Sequence, residues 1–488
     1  MKKQGRNRVA HKRSAFFRSG AATLSKWAFA FRQKPVRNPR FATRQRRASG
    51  FASETQHEKS RQKSSRLQEK GFILYNERKK YYNYTQLHYT TQNHIALQSR
   101  KDNYKMKCDV LFKTIDNLKE KYVDVLEDVC NIESPTDFKD GVDAVGRYFI
   151  NIAKDKGWDI DVCSQEVSGD AICITVNPKA KKPPIALSGH MDTVHPVGSF
   201  GEQPVVRREN GRMYGPGTTD CKGGIAAMFL AADALCQCGF DDRPILLLLQ
   251  SDEEKSSMPS GKATIKYICD KAEGSDAFLN AEAIYKNTAV LVRKGIMRLK
   301  LTVYGAAAHS AMCYNGVNAI AEAAHKIIEL EKMKDPDGLT CNCGMINGGS
   351  APNVVPEKCE FIADIRFATL EEMNKAREIV KSVADTVFVE GCRCEVQDVS
   401  YRPPMERSEK NEALLKRMNL IFKENELPEL TGVFANGGSD AAYVTARGIP
   451  CVDSIAVRGG LTHSRGEYVE IDSISEAAKR IASVVYCL

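Results

Sequence analysis

No Asp or Glu occurs among the first fifty residues of this 488-residue chain, and no Cys before residue 108. Residues 1–105 hold 26 Lys and Arg against 5 Asp and Glu, whereas residues 106–488 hold 45 against 56. The formal charge of +10 is therefore an average over two unlike pieces. The first piece lacks acid and apolar periodicity together, so it repels itself and offers no core to pack. The expected true start is Met106, with the upstream region a translated leader or a miscalled start. A disordered basic tail that attracts nucleic-acid phosphate, or a mitochondrial-type targeting segment, are the alternatives. The acidic remainder confines any nucleic-acid binding to residues 1–105. Also missing is any run of about twenty apolar residues, which argues against a membrane-spanning helix, and no leader with a long apolar core is expected. Sixteen cysteines spread over a chain of ordinary apolar content read as reduced thiols in a cytoplasmic protein rather than a disulfide framework. The CxC pairs at Cys236/Cys238, Cys341/Cys343 and Cys392/Cys394 lack a second pair at zinc-finger spacing.

From Met106 onward the pattern is that of a folded protein. Val110, Leu111, Ile115, Leu118, Tyr122, Leu126 and Val129 recur at helical spacing, and GVDAVGRYFINIAKDKG reads as a second amphipathic helix. DIDVCSQEV, AICITVNP and IALSGH read as strands. A Gly-rich turn, YGPGTTDCKGG, opens an Ala/Leu-rich helix that ends at Gly239, and ILLLLQSDEE is an apolar run breaking abruptly into acid. SDAFLNAEA supplies a further strand. This alternation predicts an α/β domain with a mostly parallel sheet. From MRLKLTVYG the pattern switches to strict alternation, and a β-α-β-β-α-β order follows, which predicts an inserted α+β, ferredoxin-like domain. The α/β style then returns, with CVDSIAV as a strand. The expected division is a catalytic domain over 106–294 and 403–488, interrupted by a lid over 295–402.

The α/β strand ends carry the ionisable groups. SGHMDTVHP places His190, Asp192 and His195 directly after an apolar strand. Asp220 follows the GPGTT turn, Asp252, Glu253 and Glu254 follow ILLLLQS, and Glu282 and His463 complete the set. Ligands of open α/β sheets bind beyond the carboxyl ends of the strands, so these groups are expected to share one crevice. Two histidines and several carboxylates suit zinc or a similar ion, and so many acids would repel one another without cations. An ordinary polar cleft is the alternative.

Taken in order, GHMDTV, YGPGTTDCKGG, SDEE, AEA, AAAHS, NVVP, DIR and LTHSRGEY make the chain resemble the M20 metallopeptidase family of dizinc amidohydrolases. The resemblance runs from near Met106 to the C-terminus. It implies a zinc-exopeptidase-like fold with a lid that also serves dimerisation, and two divalent ions per chain, with zinc expected over cobalt or manganese. Asp220 would bridge the ions, with His190 and Glu282 on one and Glu254 and His463 on the other. Glu253 matches the general base, and Asp192 the acid behind the first metal histidine. The peptide bond after Asp220 would be cis. His309 matches a lid histidine that reaches the neighbouring subunit's site, which implies a homodimer. Arg366, Asn353 and Gly349 match positions near the substrate, Arg366 facing its free carboxylate. His195 has no metal role in the pattern and is expected to be a packed or hydrogen-bonded loop residue, and His325 a structural one.

The implied reaction is amide hydrolysis in short peptides or N-acyl amino acids with a free carboxylate. HMDTVHP with YGPGTTDCKGG is most similar to the carboxypeptidase G2-like branch. Acetylornithine-type or succinyl-diaminopimelate-type deacylases and di- or tripeptidases share the same ligands and stand as alternatives. A non-catalytic binding protein with a nucleic-acid-binding tail is the alternative from another class.

Overall fold

The computed structural model of the chain describes residues 108–201, 205–336 and 338–488, so the expectations for residues 1–105 lie outside it. At its centre is a six-stranded mixed sheet. Four strands run parallel in the order Ile245–Gln250, Ile185–His190, Ala277–Asn280 and Cys451–Val452. Two more, Ala171–Val176 and Asp159–Cys163, are added antiparallel beside Ile245–Gln250. The apolar run ILLLLQ is buried on both faces, as a central parallel strand must be. Ile245, Leu247 and Leu249 join the core formed with the helix Lys222–Gln237, while Leu246 and Leu248 pack with Ile265 and Ile268 of the helix Ala263–Ala272. Lys222–Gln237 is itself covered by the helix Asp472–Cys487, which explains its nearly uniform apolar composition.

One strand is shorter than its sequence suggests. CVDSIAV reads as a strand throughout, but only Cys451–Val452 joins the central sheet, and Asp453 instead bridges Val290. The chain then turns at Ser454, whose φ is +57°, next to Asp453, whose carboxylate accepts from Arg293.

The second sheet is antiparallel, in the order Thr340–Gly348, Lys358–Phe367, Gly295–Tyr304, Arg393–Arg402. The helices Ala319–Leu330 and Leu370–Asp385 cover one face, over a core that includes Met297, Leu299, Leu301, Phe361 and Ile365. That is the β-α-β-β-α-β order expected from the sequence. The opposite face carries Ile296, Arg298, Asp364, Arg366 and Arg402 in register. The chain enters this layer beside Arg293 and leaves it at Arg402. Arg293 is anchored on the central layer, with Nε 2.6 Å from Asp453 Oδ2, Nη1 donating to the Gly437 carbonyl and Nη2 to Ser454. No helix among the described residues is long and apolar enough to cross a membrane.

Candidate metal centre

His190 is the last residue of its strand, and its side chain is only 2% exposed. Nδ1 lies 3.0 Å from the Asp192 carbonyl and 3.4 Å from Asp192 Oδ1. With Nδ1 acting as donor, Nε2 is left free to face the crevice as a lone-pair donor to an ion. There it meets Asp220 Oδ1 at 3.0 Å and Glu282 Oε1 at 3.7 Å. The other Asp220 oxygen, Oδ2, lies 3.1 Å from His463 Nε2, which in turn is 3.3 Å from Glu254 Oε2. Asp220 therefore stands between two histidines and offers one oxygen to each. Around it are two sets of donors, His190 with Glu282 and His463 with Glu254. The peptide bond from Asp220 to Cys221 is cis.

His190, Cys221 and Glu282 also lie close enough together to surround an ion. Cys221 is the poorer ligand of that trio. Its buried thiol donates to the Ala281 carbonyl at 3.1 Å, and burial raises its pKa well above the ordinary range, which keeps the proton on sulfur. Asp220 is the better third donor.

The electrostatics carry the mark of crowded acids. Burial pushes the Glu254 carboxyl up to about 7 against the opposing pull of His463. Burial and the neighbouring Asp220 raise Glu282 well above its usual range. Bonds to Asp220 and Glu254 lift His463 to about 10. Carboxylates crowded in this way disfavour one another's charge, and divalent cations held among them would relieve it.

Asp192 holds the first layer together from behind. It is fully buried; Oδ1 accepts from the Glu253 amide at 3.1 Å, and Oδ2 from the Glu254 amide at 3.2 Å and from Thr136 at 2.7 Å. One carboxylate thereby fixes a histidine and both consecutive glutamates. Asp252, the first acid of the run, is instead structural, accepting from Thr264 at 2.6 Å and the Ser260 amide at 3.0 Å.

His190, Asp192, Glu253, Glu254 and Glu282 stand at or just beyond the ends of core strands, but Asp220 and His463 do not. Those two belong to loops leaving a small antiparallel sheet made of Arg207–Glu209, Arg212–Tyr214, Gly459–Gly460 and Tyr468–Glu470. Glu467, which the motif reading passed over, ties the loops together. Its carboxylate accepts from the amides of Gly217, Thr219 and Asp220 at 3.2, 2.9 and 3.0 Å. His195 Nε2 lies 3.3 Å from the same group, so His195 is the hydrogen-bonded loop residue expected, set two bonds behind Asp220. The signal for Glu467 was its place in LTHSRGEY, four residues after His463. Arg402, whose guanidinium lies 2.7 Å from Glu253 Oε1, had no such signal.

The lid residues fall into two groups. Arg366 pairs in register with Ile296, as does Arg402 from the other side, so both arginines share the open face near the chain crossings. Arg366 forms a fork to Asp364 in its own strand, with Nε 2.6 Å from Oδ1 and Nη2 3.3 Å from Oδ2. His309, Asn353 and Gly349 lie at the opposite end of the sheet. His309 bridges Val354, and the Ser310 amide donates to the Asn353 carbonyl. Gly348 pairs with Cys359, seven residues of strand before Arg366, or roughly 23 Å. His309 is exposed, its Nδ1 accepting from the Ala311 amide at 3.2 Å. His325 stacks on Phe388 with ring centroids 5.3 Å apart, a packing role.

Residues 186–486 match the model of Peptidase family M20/M25/M40. Carboxypeptidase G2 of Pseudomonas sp. (strain RS-16) is 28% identical over 391 residues, covering 78% of this chain and 90% of that protein. The succinyl-diaminopimelate desuccinylase of Nitrosospira multiformis is 26% identical over 370 residues, covering 70% and 92%. Among solved structures, a tripeptidase from Staphylococcus aureus superposes with a TM-score of 0.62 at 20% identity, covering 75% of this chain and 98% of that one. That likeness is one of fold, and it spans both sheet layers.

Proposed function

The chain belongs to peptidase family M20/M25/M40 and is a hydrolase of that family, and from this we propose that it cleaves an amide bond in short peptides or N-acyl amino acids with a free carboxylate. The observation that carries the reading is Asp220, with one oxygen on His190 and the other on His463. The donor set fits two divalent ions: His190 and Glu282 would hold one, Glu254 and His463 the other, with Asp220 shared. Zinc is the ion proposed, with cobalt and manganese as alternatives. When bound, such ions polarise a substrate carbonyl and make water a stronger nucleophile. Glu253 takes the proton of the attacking water and delivers it to the leaving nitrogen. Asp192 keeps His190 and the Glu253–Glu254 backbone in place while this happens.

Residues 106–294 and 403–488 form the catalytic domain in this reading, and 295–402 the lid. Arg366 takes the substrate carboxylate. A guanidinium can grip it at two points, and Asp364, already forked to Arg366, orients that group. His309, Asn353 and Gly349, at the far end of the lid, serve the neighbouring site of a homodimer, where His309 stabilises the developing oxyanion. Sixteen free thiols suit a reducing compartment such as the cytoplasm.

The carboxypeptidase G2-like branch is the finer reading, supported by the 28% identity to that enzyme. The deacylase and peptidase readings draw support from the other relatives. A substrate panel separates them. Free-acid substrates should be cleaved roughly 10–150-fold better in kcat/KM than their C-terminal amides, the range set by one charge-assisted contact. Preference for released Glu across many acyl groups supports the carboxypeptidase reading, preference for acetyl or succinyl groups a deacylase, and a required free α-amine a di- or tripeptidase. Amides cleaved as fast as acids would refute the carboxylate clamp.

A further inference from the structure

One edge strand of the lid, Arg393–Arg402, ends on Glu253. Arg402 is 3% exposed; its Nη1 donates to Glu253 Oε1 at 2.7 Å and its Nη2 to the Glu253 carbonyl at 2.6 Å. Asp440 Oδ1 lies 4.0 Å from the same Nη2, yet that oxygen and Arg402 Nε are both buried without a hydrogen-bond partner. Buried groups left unbonded cost stability, so the guanidinium keeps two bonds to Glu253 at the expense of bonds it could make to Asp440. The site is shaped for this path. A Cβ on Gly438 would stand 2.8 Å from Arg402 Cδ, and Lys262 Nζ pins the preceding residue by donating to the Tyr401 carbonyl at 2.7 Å. Glu253 is thereby held on three sides. Its amide is on Asp192, and its carbonyl and Oε1 are on Arg402, while Oε2 receives no hydrogen bond from any described residue.

We infer that Arg402 is a positioning residue that turns Glu253 so that Oε2 is the oxygen presented to the attacking water. Because Arg402 closes a lid strand, it also makes the orientation of that carboxylate depend on where the lid sits. This rests on the reading of Glu253 as the proton acceptor. The proton passes from water to Glu253 Oε2 and on to the leaving nitrogen, and Arg402 neither gains nor loses one.

The experiment is a double-mutant cycle on the metal-loaded enzyme, using an N-acyl amino acid that the wild type hydrolyses, with kcat, KM and metal content read separately. Arg402→Met should lower kcat by about 100-fold, the low end of what a positioned base supplies, with KM changed less than about threefold and metal content intact. Arg402→Lys keeps the charge without the two-point fork and should recover only part of the loss. Arg402→Gly should regain activity when guanidinium is added. In a Glu253→Gln background, Arg402→Met should cost nothing further. Losses that add in that background, or a raised KM with kcat preserved, would overturn the inference and make Arg402 a direct contact of the substrate. Activity surviving in Glu253→Gln would overturn the reading of Glu253 itself. An inactive Glu253→Gln beside an Arg402→Met with full kcat would overturn the role of Arg402 alone.

Discussion

Glu253 and Glu254 are chain neighbours whose amides share one acceptor, Asp192, yet their carboxylates go to different partners. Glu254 turns to His463 and Glu253 to Arg402. The proposed division of labour between them follows side-chain direction, and it predicts different phenotypes for the same substitution. Glu253→Gln keeps the shape and the metal but removes the proton acceptor, so kcat should fall by about 100-fold or more while bound metal is unchanged. Glu254→Gln would remove a proposed charged ligand and should weaken one metal site, with activity partly recovered at high metal concentration. Elemental analysis alongside steady-state kinetics checks both. Two variants that behave alike would show the roles to be wrongly divided.

At the scale of elements, Lys222–Gln237 is the hub, packed under the central sheet and against the C-terminal helix. Its one buried acid, Asp233, lies about three turns along the helix from its Lys222 end. It takes bonds from Tyr122 at 2.9 Å, Lys156 at 2.6 Å and Gln237 at 3.1 Å, joining the helix over 108–130 to the end of the next one. Burial opposes its charge, but these partners outweigh it and hold the Asp233 carboxyl below its ordinary range. A lowered folded-state pKa stabilises the fold above the unfolded value, about 3.9, and that contribution is lost as pH falls through the folded value. Asp233→Asn should cost about 1–3 kcal/mol near neutral pH in urea unfolding. The gap to wild type should persist down to about pH 4 and narrow below it. A gap of constant size across that range would contradict this account.

The same elements explain what the sequence made legible. IALSGH and ILLLLQ announced themselves because a strand buried on both faces must be apolar throughout, and the lid because its strands alternate over a covered and an open face. The sheet that carries Asp220 and His463 into place did not, since its strands are two or three residues long and too short to show a period. The sequence alone sets His463 at the end of a core strand, whereas it lies in the loop between Gly459–Gly460 and Tyr468–Glu470. Arg402 was invisible because its partner lies 149 residues earlier, and nothing local marks such a pair.

The whole molecule places the residues proposed for one reaction at two distant ends of the lid. Arg366 shares the chain-crossing end with Arg402, and His309 and Asn353 lie roughly 23 Å away along the sheet. If His309 serves a partner's site, two inactive homodimers should complement each other. Mixing Glu253→Gln with His309→Ala under conditions that allow subunit exchange should restore roughly a quarter of wild-type activity, since half the dimers then carry one intact site. No recovery despite exchange would place His309 outside the reaction.

The roles proposed for the reaction depend on whether the five-residue cluster holds two ions, and metal content per chain tests that most directly. Protein purified without chelator should contain close to two divalent ions per chain, and the single replacement Asp220→Ala should empty both positions, because among the described residues Asp220 is the one carboxylate in contact with both histidines. A single tightly held ion that survives Asp220→Ala unchanged would contradict the dinuclear account.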